Sequence, residues 1–226
     1  MFLADLTWPE VAGRAASGAI LAVPLGATEQ HGPHLPLSTD TDIASALCRR
    51  LAEARSDVLV APPVWYGSSG EHDGFAGTLS IGQEATELLI VELGRSATKT
   101  FRHLLFVSAH GGNAEPLARA VARLRARSRD VTAFQPRWDG DPHAGHHETA
   151  VQLVLRPHTV RMDRAERGNT EELAYLMPRL QSAGVRGVSP NGVLGDPTNA
   201  TRGAGSVLLA EWSASLIRHV DAWRPA

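Results

Sequence analysis

Two hydrophobic patterns alternate along this chain. Short apolar runs without polar alternation predict buried strands at residues 19–25, 58–61, 104–107 and 131–134. Apolar residues at helical spacing predict helices at residues 43–54, 83–92, 116–127, 148–155 and 207–220. Capping-box spacings at Thr7–Glu10 and Ser80–Gln83 predict two helix starts.

Strands that alternate with helices predict an α/β fold with a mainly parallel sheet between two layers of helices. We find no internal repeat or interdomain linker, so residues 1–226 are expected to form a single domain. Three loops are long for such a fold, at residues 26–40, 66–82 and 136–147. Loops of that length in a compact domain are usually functional or disordered.

Composition narrows the function classes. The 226 residues carry 22 basic and 24 acidic side chains, a formal charge of −2, which argues against a nucleic-acid binder. The arginines at 119, 123 and 127 therefore predict a solvated helix face. The single cysteine, Cys48, excludes an internal disulfide and fits a core residue better than a nucleophile.

The N-terminal region favours a cytoplasmic protein without a membrane segment. It opens without a basic stretch and meets acidic residues at Asp5 and Glu10, unlike a secretory signal. The apolar run at 19–27 is too short to span a bilayer and contains Pro24.

The first candidate site follows the first predicted strand, at residues 26–36. Glu29 and His31 are two residues apart, so in extended backbone they share a face and suit one metal or two adjacent ones. Asp40 opens the next predicted helix, where the helix dipole favours a carboxylate, and Asp42 follows it. The simpler alternative makes Asp40 a helix cap and His31 a loop histidine bonded to backbone.

Three further segments carry candidate chemistry. His110 directly follows a strand and precedes two glycines; a strand-ending histidine or a phosphate cradle are the alternatives. Residues 141–149 hold three histidines and two carboxylates without H-E-x-x-H spacing, and exposed positions are the alternative for His146 and His147. The glycine-rich loop 67–78 carries Glu71 and His72.

Histidine and carboxylate donors suit Zn, Mn or Fe(II). With more than four candidate ligands, we expect a two-metal site with a bridging carboxylate, a kind of site that activates water for hydrolysis.

These motifs resemble the signature of the creatininase family of metal-dependent amidohydrolases. The resemblance covers nearly the whole chain, and its blocks occur in the family order at residues 26–36 with 40, 71–72 with 77–78, 110–113, 143–149 and 192–197. Within the family, the chain is most similar to a peptidase that trims a modified precursor peptide.

The resemblance implies a creatininase-type α/β/α sandwich and a set of residue roles. Glu29 and His110 would bind one divalent metal ion, His31 and Glu148 a second, and Asp40 would bridge them. Zinc is expected, with Fe(II) or Mn possible at the second position. Gly112 stands where creatininase has a glutamate ligand, so Glu148 would supply that carboxylate; Ser108 and Ala76 also depart from the family pattern.

The resemblance also implies the reaction. His143 would lie beside the substrate and bind the oxyanion or protonate the leaving nitrogen, and Glu71 would orient His143 or move protons. The expected function is binuclear metal-dependent amide hydrolysis that removes a modified C-terminal dipeptide from a precursor peptide. The alternatives are a creatinine amidohydrolase, a formamide hydrolase, or a catalytically silent metal-binding subunit. A homo-oligomer, a hexamer or larger ring, is expected.

Overall fold

A four-stranded parallel sheet lies at the centre of the protein. The computed structural model describes residues 1–137 and 140–224, so residues 138 and 139 of the predicted 136–147 loop lie outside the described part. The strands are β1 (Ile20–Leu25), β2 (Val58–Val60), β3 (His103–Ser108) and β4 (Asp130–Phe134). Their order is β2-β1-β3-β4 and each pairing is parallel, which confirms the predicted sheet.

Helices cover both faces of this sheet. They are α1 (Trp8–Ala16), α2 (Thr39–Ala54), α3 (Gly82–Ala97), α4 (Ala114–Arg125), α5 (His146–Leu155), α6 (Leu173–Val188) and α7 (Arg202–Trp223). One apolar core joins α2, α5 and α7 to one face, and a second joins α1, α3 and α4 to the other. Alternate residues of β1 enter the two cores, Ile20 the first and Leu21 the second. The predicted three-layer α/β/α sandwich is confirmed.

The two capping predictions have different outcomes. Thr7 caps α1 in a complete capping box, in which its backbone N–H donates to Glu10 Oε2 at 2.6 Å. The second prediction is wrong, because α3 begins at Gly82 with Ile81 before it and no side-chain cap. The Ser80 hydroxyl instead accepts a hydrogen bond from the backbone N–H of Ser69 at 2.9 Å, which ties the loop together.

The structure also bears on two further predictions, one for a core residue and one for a helix surface. Cys48 is fully buried in the α2 core, and burial raises the pKa of its thiol. Arg119 and Arg123 both form ion pairs with Glu87 of α3, at 2.7 and 2.6 Å, on the outer face of the sandwich. Within the described residues, no helix combines the length and apolar character needed to cross a bilayer.

The strand order creates a crevice. From β1 the chain reaches β2 on one side, whereas β3 pairs with the other side of β1. In open α/β sheets, ligands bind where the strand order reverses in this way, beyond the carboxyl ends of the strands. The loops that leave β1 and β3 therefore meet at the natural ligand position of this fold.

Helix α6 is an element that the hydrophobic pattern did not predict. It contains Pro178 and is kinked at Gly184, whose φ of 64° is left-handed. It buries Leu176 and Val185 in a small cluster with Leu194, separate from the two main cores. The helix packs against a short 3-10 turn at Gly70–His72, so it stands beside the crevice.

Candidate metal centre

The five predicted metal ligands lie together in the crevice. Glu29 and His31 follow β1, His110 follows β3, and Asp40 and Glu148 lie in the first turns of α2 and α5. Each is at most 4% exposed. Their ligand atoms form two groups, Glu29 with Asp40 and His110, and His31 with Asp40 and Glu148, within 4.8 Å in each group. Asp40 belongs to both groups.

Asp40 directs its two carboxylate oxygens toward different histidines. Oδ1 lies 3.3 Å from Nε2 of His31, and Oδ2 lies 3.4 Å from Nδ1 of His110. Glu29 Oε1 lies 3.2 Å from the same nitrogen of His110, and Glu148 Oε2 lies 3.9 Å from that of His31. This is the arrangement that a bridging carboxylate requires.

Backbone carbonyls determine which nitrogen of each neutral imidazole ring carries the proton. His110 Nε2 donates to the carbonyl of Ser68 at 2.7 Å, and His31 Nδ1 donates to the carbonyl of Glu29 at 3.2 Å. In the neutral form that a metal ion requires, each ring carries one proton, so the lone pairs would be on His110 Nδ1 and His31 Nε2. These are the atoms that face Asp40.

Several buried atoms of the cluster lack a hydrogen-bond partner among the described residues: both carboxylate oxygens of Glu29, Oδ2 of Asp40 and Nε2 of His31. Buried charges are normally paired or bind metals. Burial disfavours imidazolium, yet the nearby carboxylates, Asp40 foremost for His31 and Glu29 for His110, raise both histidine pKa values to about 10. A cluster that attracts positive charge so strongly, with nitrogen and oxygen donors, fits divalent metal ions.

Hydrogen bonds from the surrounding loops hold this cluster in place. The Asn113 side chain accepts from the backbone N–H of Ser68 and donates to the carbonyl of Gly26, each at 3.0 Å. Glu148 Oε2 accepts from the backbone N–H of Ala144 at 2.6 Å, and Ala144 has a left-handed φ of 53°. Burial raises the pKa of Glu148 to about 7. The loops after β1, β2 and β3 are thus fixed to one another.

The two predicted catalytic residues lie beside the cluster. His143 is buried, with Nδ1 3.8 Å from Glu29 Oε1, and it also groups with Glu29 and His31 within ligand distance. Glu71 lies farther out, with its side chain 35% exposed and Oε1 3.8 Å from Nε2 of His110. Burial raises the pKa of the Glu71 carboxyl. Both side chains therefore face the space in front of the candidate ligands.

Two residues in the site did not enter the predicted set. His72 is 3% exposed, and its Nε2 lies 3.4 Å from Glu29 Oε1. Gln30 lies between Glu29 and His31 in the chain, and its Nε2 is 2.8 Å from Nδ1 of His72. The sequence signal was present, since His72 stands next to Glu71 and Gln30 lies inside the first motif.

Other polar residues of the candidate segments lie elsewhere. Asp42 forms an ion pair with Arg156 at 3.1 Å, and His34 Nε2 lies 2.8 Å from the Thr149 hydroxyl. Asp141 accepts from the backbone N–H groups of His146 and Asp196. His146 and His147 belong to none of the ligand groups, and both are partly buried rather than exposed.

A cavity of about 460 Å³ opens in front of the cluster. One side is polar, with Glu29, Glu71, His72, His110 and His143. Its apolar lining comes from α6, with Leu173, Met177, Leu180 and Val185, and from Leu194 in the segment after this helix. A larger cavity of about 590 Å³ lies between α4 and α7, and none of the candidate ligands lines it. The smaller cavity, which Glu29 and His110 of the candidate ligands line, is therefore the candidate substrate site.

Comparison with known proteins identifies the family of this chain. Residues 4–220 match the family described as "Creatininase: Creatinine amidohydrolase". The mycofactocin precursor peptide peptidase of Mycolicibacterium smegmatis is 51% identical over 214 residues, 91% of this chain and 86% of that protein. The creatinine amidohydrolase of Pseudomonas putida is 32% identical over 200 residues, 73% of this chain and 75% of that protein.

Solved structures show the same fold. The structure named "Creatininase Mn" superposes with a TM-score of 0.83 at 24% identity, covering 100% of this chain and 99% of that one. A variant creatininase described as "Zn-Zn type" has the same TM-score and identity. The names of these two structures refer to manganese and zinc.

Proposed function

The chain belongs to the creatininase family of amide-bond hydrolases, and from this premise we propose that it is a two-metal peptidase acting on the mycofactocin precursor peptide. We further propose that it removes the modified C-terminal dipeptide of that peptide. Zinc is the proposed metal, with Fe(II) or Mn at the second position, and a cytoplasmic homo-oligomer is part of the same proposal.

The position of Asp40 is the observation that carries the metal assignment. In this proposal Glu29 and His110 would hold one ion, His31 and Glu148 would hold the other, and Asp40 would take part in holding both. When bound, the two ions would supply Lewis-acid activation of a water molecule and of the amide carbonyl. Buried atoms of Glu29, Asp40 and His31 without a hydrogen-bond partner among the described residues support this assignment.

His143 is the proposed proton carrier. Its Nε2 donates to the carbonyl of Gln30 at 2.8 Å, so the free lone pair of the neutral ring is on Nδ1. Burial and the neighbouring imidazoles of His31 and His72 hold the pKa of His143 well below its ordinary value. Nδ1 is therefore free to accept a proton during hydrolysis and to return it to the leaving amine.

The cavity supports a peptide substrate. It combines the polar cluster with the apolar wall from α6, so it offers room and apolar contact to amino-acid side chains beside the scissile amide. The relatives named as precursor peptide peptidases are 46–51% identical to this chain, against 32% for the creatinine amidohydrolase. Glu71, whose side chain is 35% exposed, would orient His143 or move protons between the site and solvent.

The test is a direct cleavage assay. The protein, supplied with zinc or manganese, is incubated with the modified precursor peptide, the unmodified peptide and creatinine, and products are identified by mass spectrometry. We expect release of the C-terminal dipeptide from the modified peptide, with loss of activity on chelation and in Asp40→Ala. Turnover of creatinine alone would identify a creatinine amidohydrolase, and metal binding without any turnover would identify a silent subunit; either result would contradict the proposal.

A further inference from the structure

The side-chain amide of Gln30 is held in one orientation by two backbone groups. Its Oε1 accepts a hydrogen bond from the N–H of Gly32 at 2.8 Å, and its Nε2 donates to the carbonyl of Gly192 at 3.0 Å. A peptide N–H only donates and a carbonyl only accepts, so exchanging the two ends of the amide would break both bonds. Gln30 is 5% exposed, and solvent therefore cannot easily compensate for that exchange.

This orientation dictates the protonation of two neighbouring histidines. His143 Nε2 donates to the Gln30 carbonyl at 2.8 Å, so its 3.1 Å approach to Gln30 Nε2 places two donors side by side. The second hydrogen of Gln30 Nε2 is then available for Nδ1 of His72 at 2.8 Å. An amide nitrogen cannot accept, so His72 Nδ1 is the acceptor and a neutral His72 carries its proton on Nε2.

The protonated nitrogen of His72 faces a candidate metal ligand. His72 Nε2 lies 3.4 Å from Oε1 of Glu29, where an N–H attracts the carboxylate and a lone pair would repel it. His72 is 3% exposed, and in the neutral ring the tautomer decides the sign of this contact.

We propose that Gln30 is a positioning residue that holds His72 in its Nε2–H tautomer, so that His72 orients the Glu29 carboxylate toward the metal. The inference rests on the proposed function for the metal itself, whereas the tautomer belongs to the protein alone. Partners of this kind, which hold a ligand without touching the metal, commonly change metal affinity by about 10- to 100-fold when they are replaced.

The first measurement is the tautomer of His72 in the metal-free protein, from long-range ¹H–¹⁵N correlation spectra of histidine-labelled samples. We expect the proton on Nε2. In Gln30→Glu, the ionised carboxylate only accepts hydrogen bonds, so a proton should appear on Nδ1 of His72. Gln83→Glu is the matched control, because Gln83 lines the same cavity but contacts Arg119; there the tautomer should stay unchanged.

The second measurement is zinc affinity, by competition with a chelator. Gln30→Glu and Gln30→Met should each bind zinc about 10- to 100-fold more weakly. In a His72→Phe background, Gln30→Met should add little, because both changes remove the same support. If Gln30→Glu does not fold, Gln30→Met and the double-mutant cycle still test the proposal.

The outcomes separate this proposal from the proposed function. A proton on Nδ1 of His72 in the unsubstituted protein would overturn the inference, as would zinc losses in the cycle that simply add. An unsubstituted protein that binds no zinc would contradict the proposed function, whereas the His72 tautomer would still show whether Gln30 controls it.

Discussion

A Cβ on Gly112 would lie 2.1 Å from the carbonyl oxygen of Ser68. That oxygen is the acceptor for Nε2 of His110, so the missing side chain lets the loop approach closely enough to fix the ring. Gly112→Ala should displace the carbonyl, release the His110 ring and lower the metal content of the purified protein. Gly111→Ala is the control, because its Cβ would meet no described atom within 4 Å. Equal metal content in the two variants would contradict this explanation.

Loss of the Asp40 carboxylate should lower the metal content more than loss of His146, a nearby histidine outside the cluster. Asp40→Ala should lose most of both ions, because Asp40 belongs to both ligand groups. His146→Ala should retain close to the full content of about two ions per chain. Elemental analysis after dialysis measures both, and comparable retention would remove Asp40 from the bridging position.

Substitutions of His143 and Glu148 should distinguish a catalytic residue from a metal ligand. His143→Ala should keep metal near the unsubstituted level but lower kcat by roughly 10²- to 10⁴-fold, the range for loss of a general acid or base. Glu148→Ala should lower both metal content and rate. Metal analysis with single-turnover kinetics measures the two effects. Because His143 also lies within ligand distance of Glu29 and His31, metal loss in His143→Ala would instead assign it as a ligand.

The stability of the metal-free protein should fall in alkaline solution. The pKa values of His31 and His110 are raised from 6.5 to about 10, so the folded chain binds more protons than the unfolded chain between these values. Their contribution to the free energy of unfolding is complete below about pH 6.5 and is lost as the pH rises through about 10.

Metal binding should remove much of this dependence, because the imidazole lone pairs would then be occupied. Thermal unfolding between about pH 7 and 9.5 should show a larger decrease in Tm for the chelated protein than for the zinc-loaded protein. Parallel decreases in the two forms would indicate that neither histidine holds metal.

The apolar wall of the cavity should set substrate preference. Met177 lines this wall, whereas Tyr175 on the same helix is 73% exposed and does not. Met177→Asp should lower kcat/KM for a peptide with a large apolar residue beside the scissile bond about 10-fold more than for its alanine counterpart. Tyr175→Asp, which adds the same charge outside the cavity, should leave that ratio unchanged. An equal change of this ratio in both variants would show that the added charge alone, and not the position of Met177 in the cavity, causes the effect.

The sequence predicted the centre of the molecule well for a physical reason. Strands buried on both faces require continuous apolar runs, and ligand-bearing loops follow the carboxyl ends of such strands in this class of fold. Glu29, His31 and His110 therefore stood out beside the runs that precede them. Their convergence is a structural observation, and their binding of metal stays a prediction.

The sequence did not predict α6 or the link from Gln30 to His72. Pro178 and Gly184 disrupt the helical signal of α6, and its packing partners are in loops rather than in a main core. Gln30 and His72 are 42 residues apart, and only the path of the loop after β2 brings them together. Hydrophobic periodicity carries no information about such a polar contact.

Helix α6 packs apart from the two main cores. Residues that line the cavity on α6 are therefore largely distinct from those that contribute most of the folding free energy. The free energy of folding comes mainly from the two cores on the sheet, whereas α6 contributes a small cluster of its own. Substitutions at Leu173 and Met177, which line the cavity and are 43% and 40% exposed, should therefore alter which side chains it admits at little cost to the folded state. Such substitutions should change substrate preference while the candidate metal ligands, which belong to other elements, stay intact.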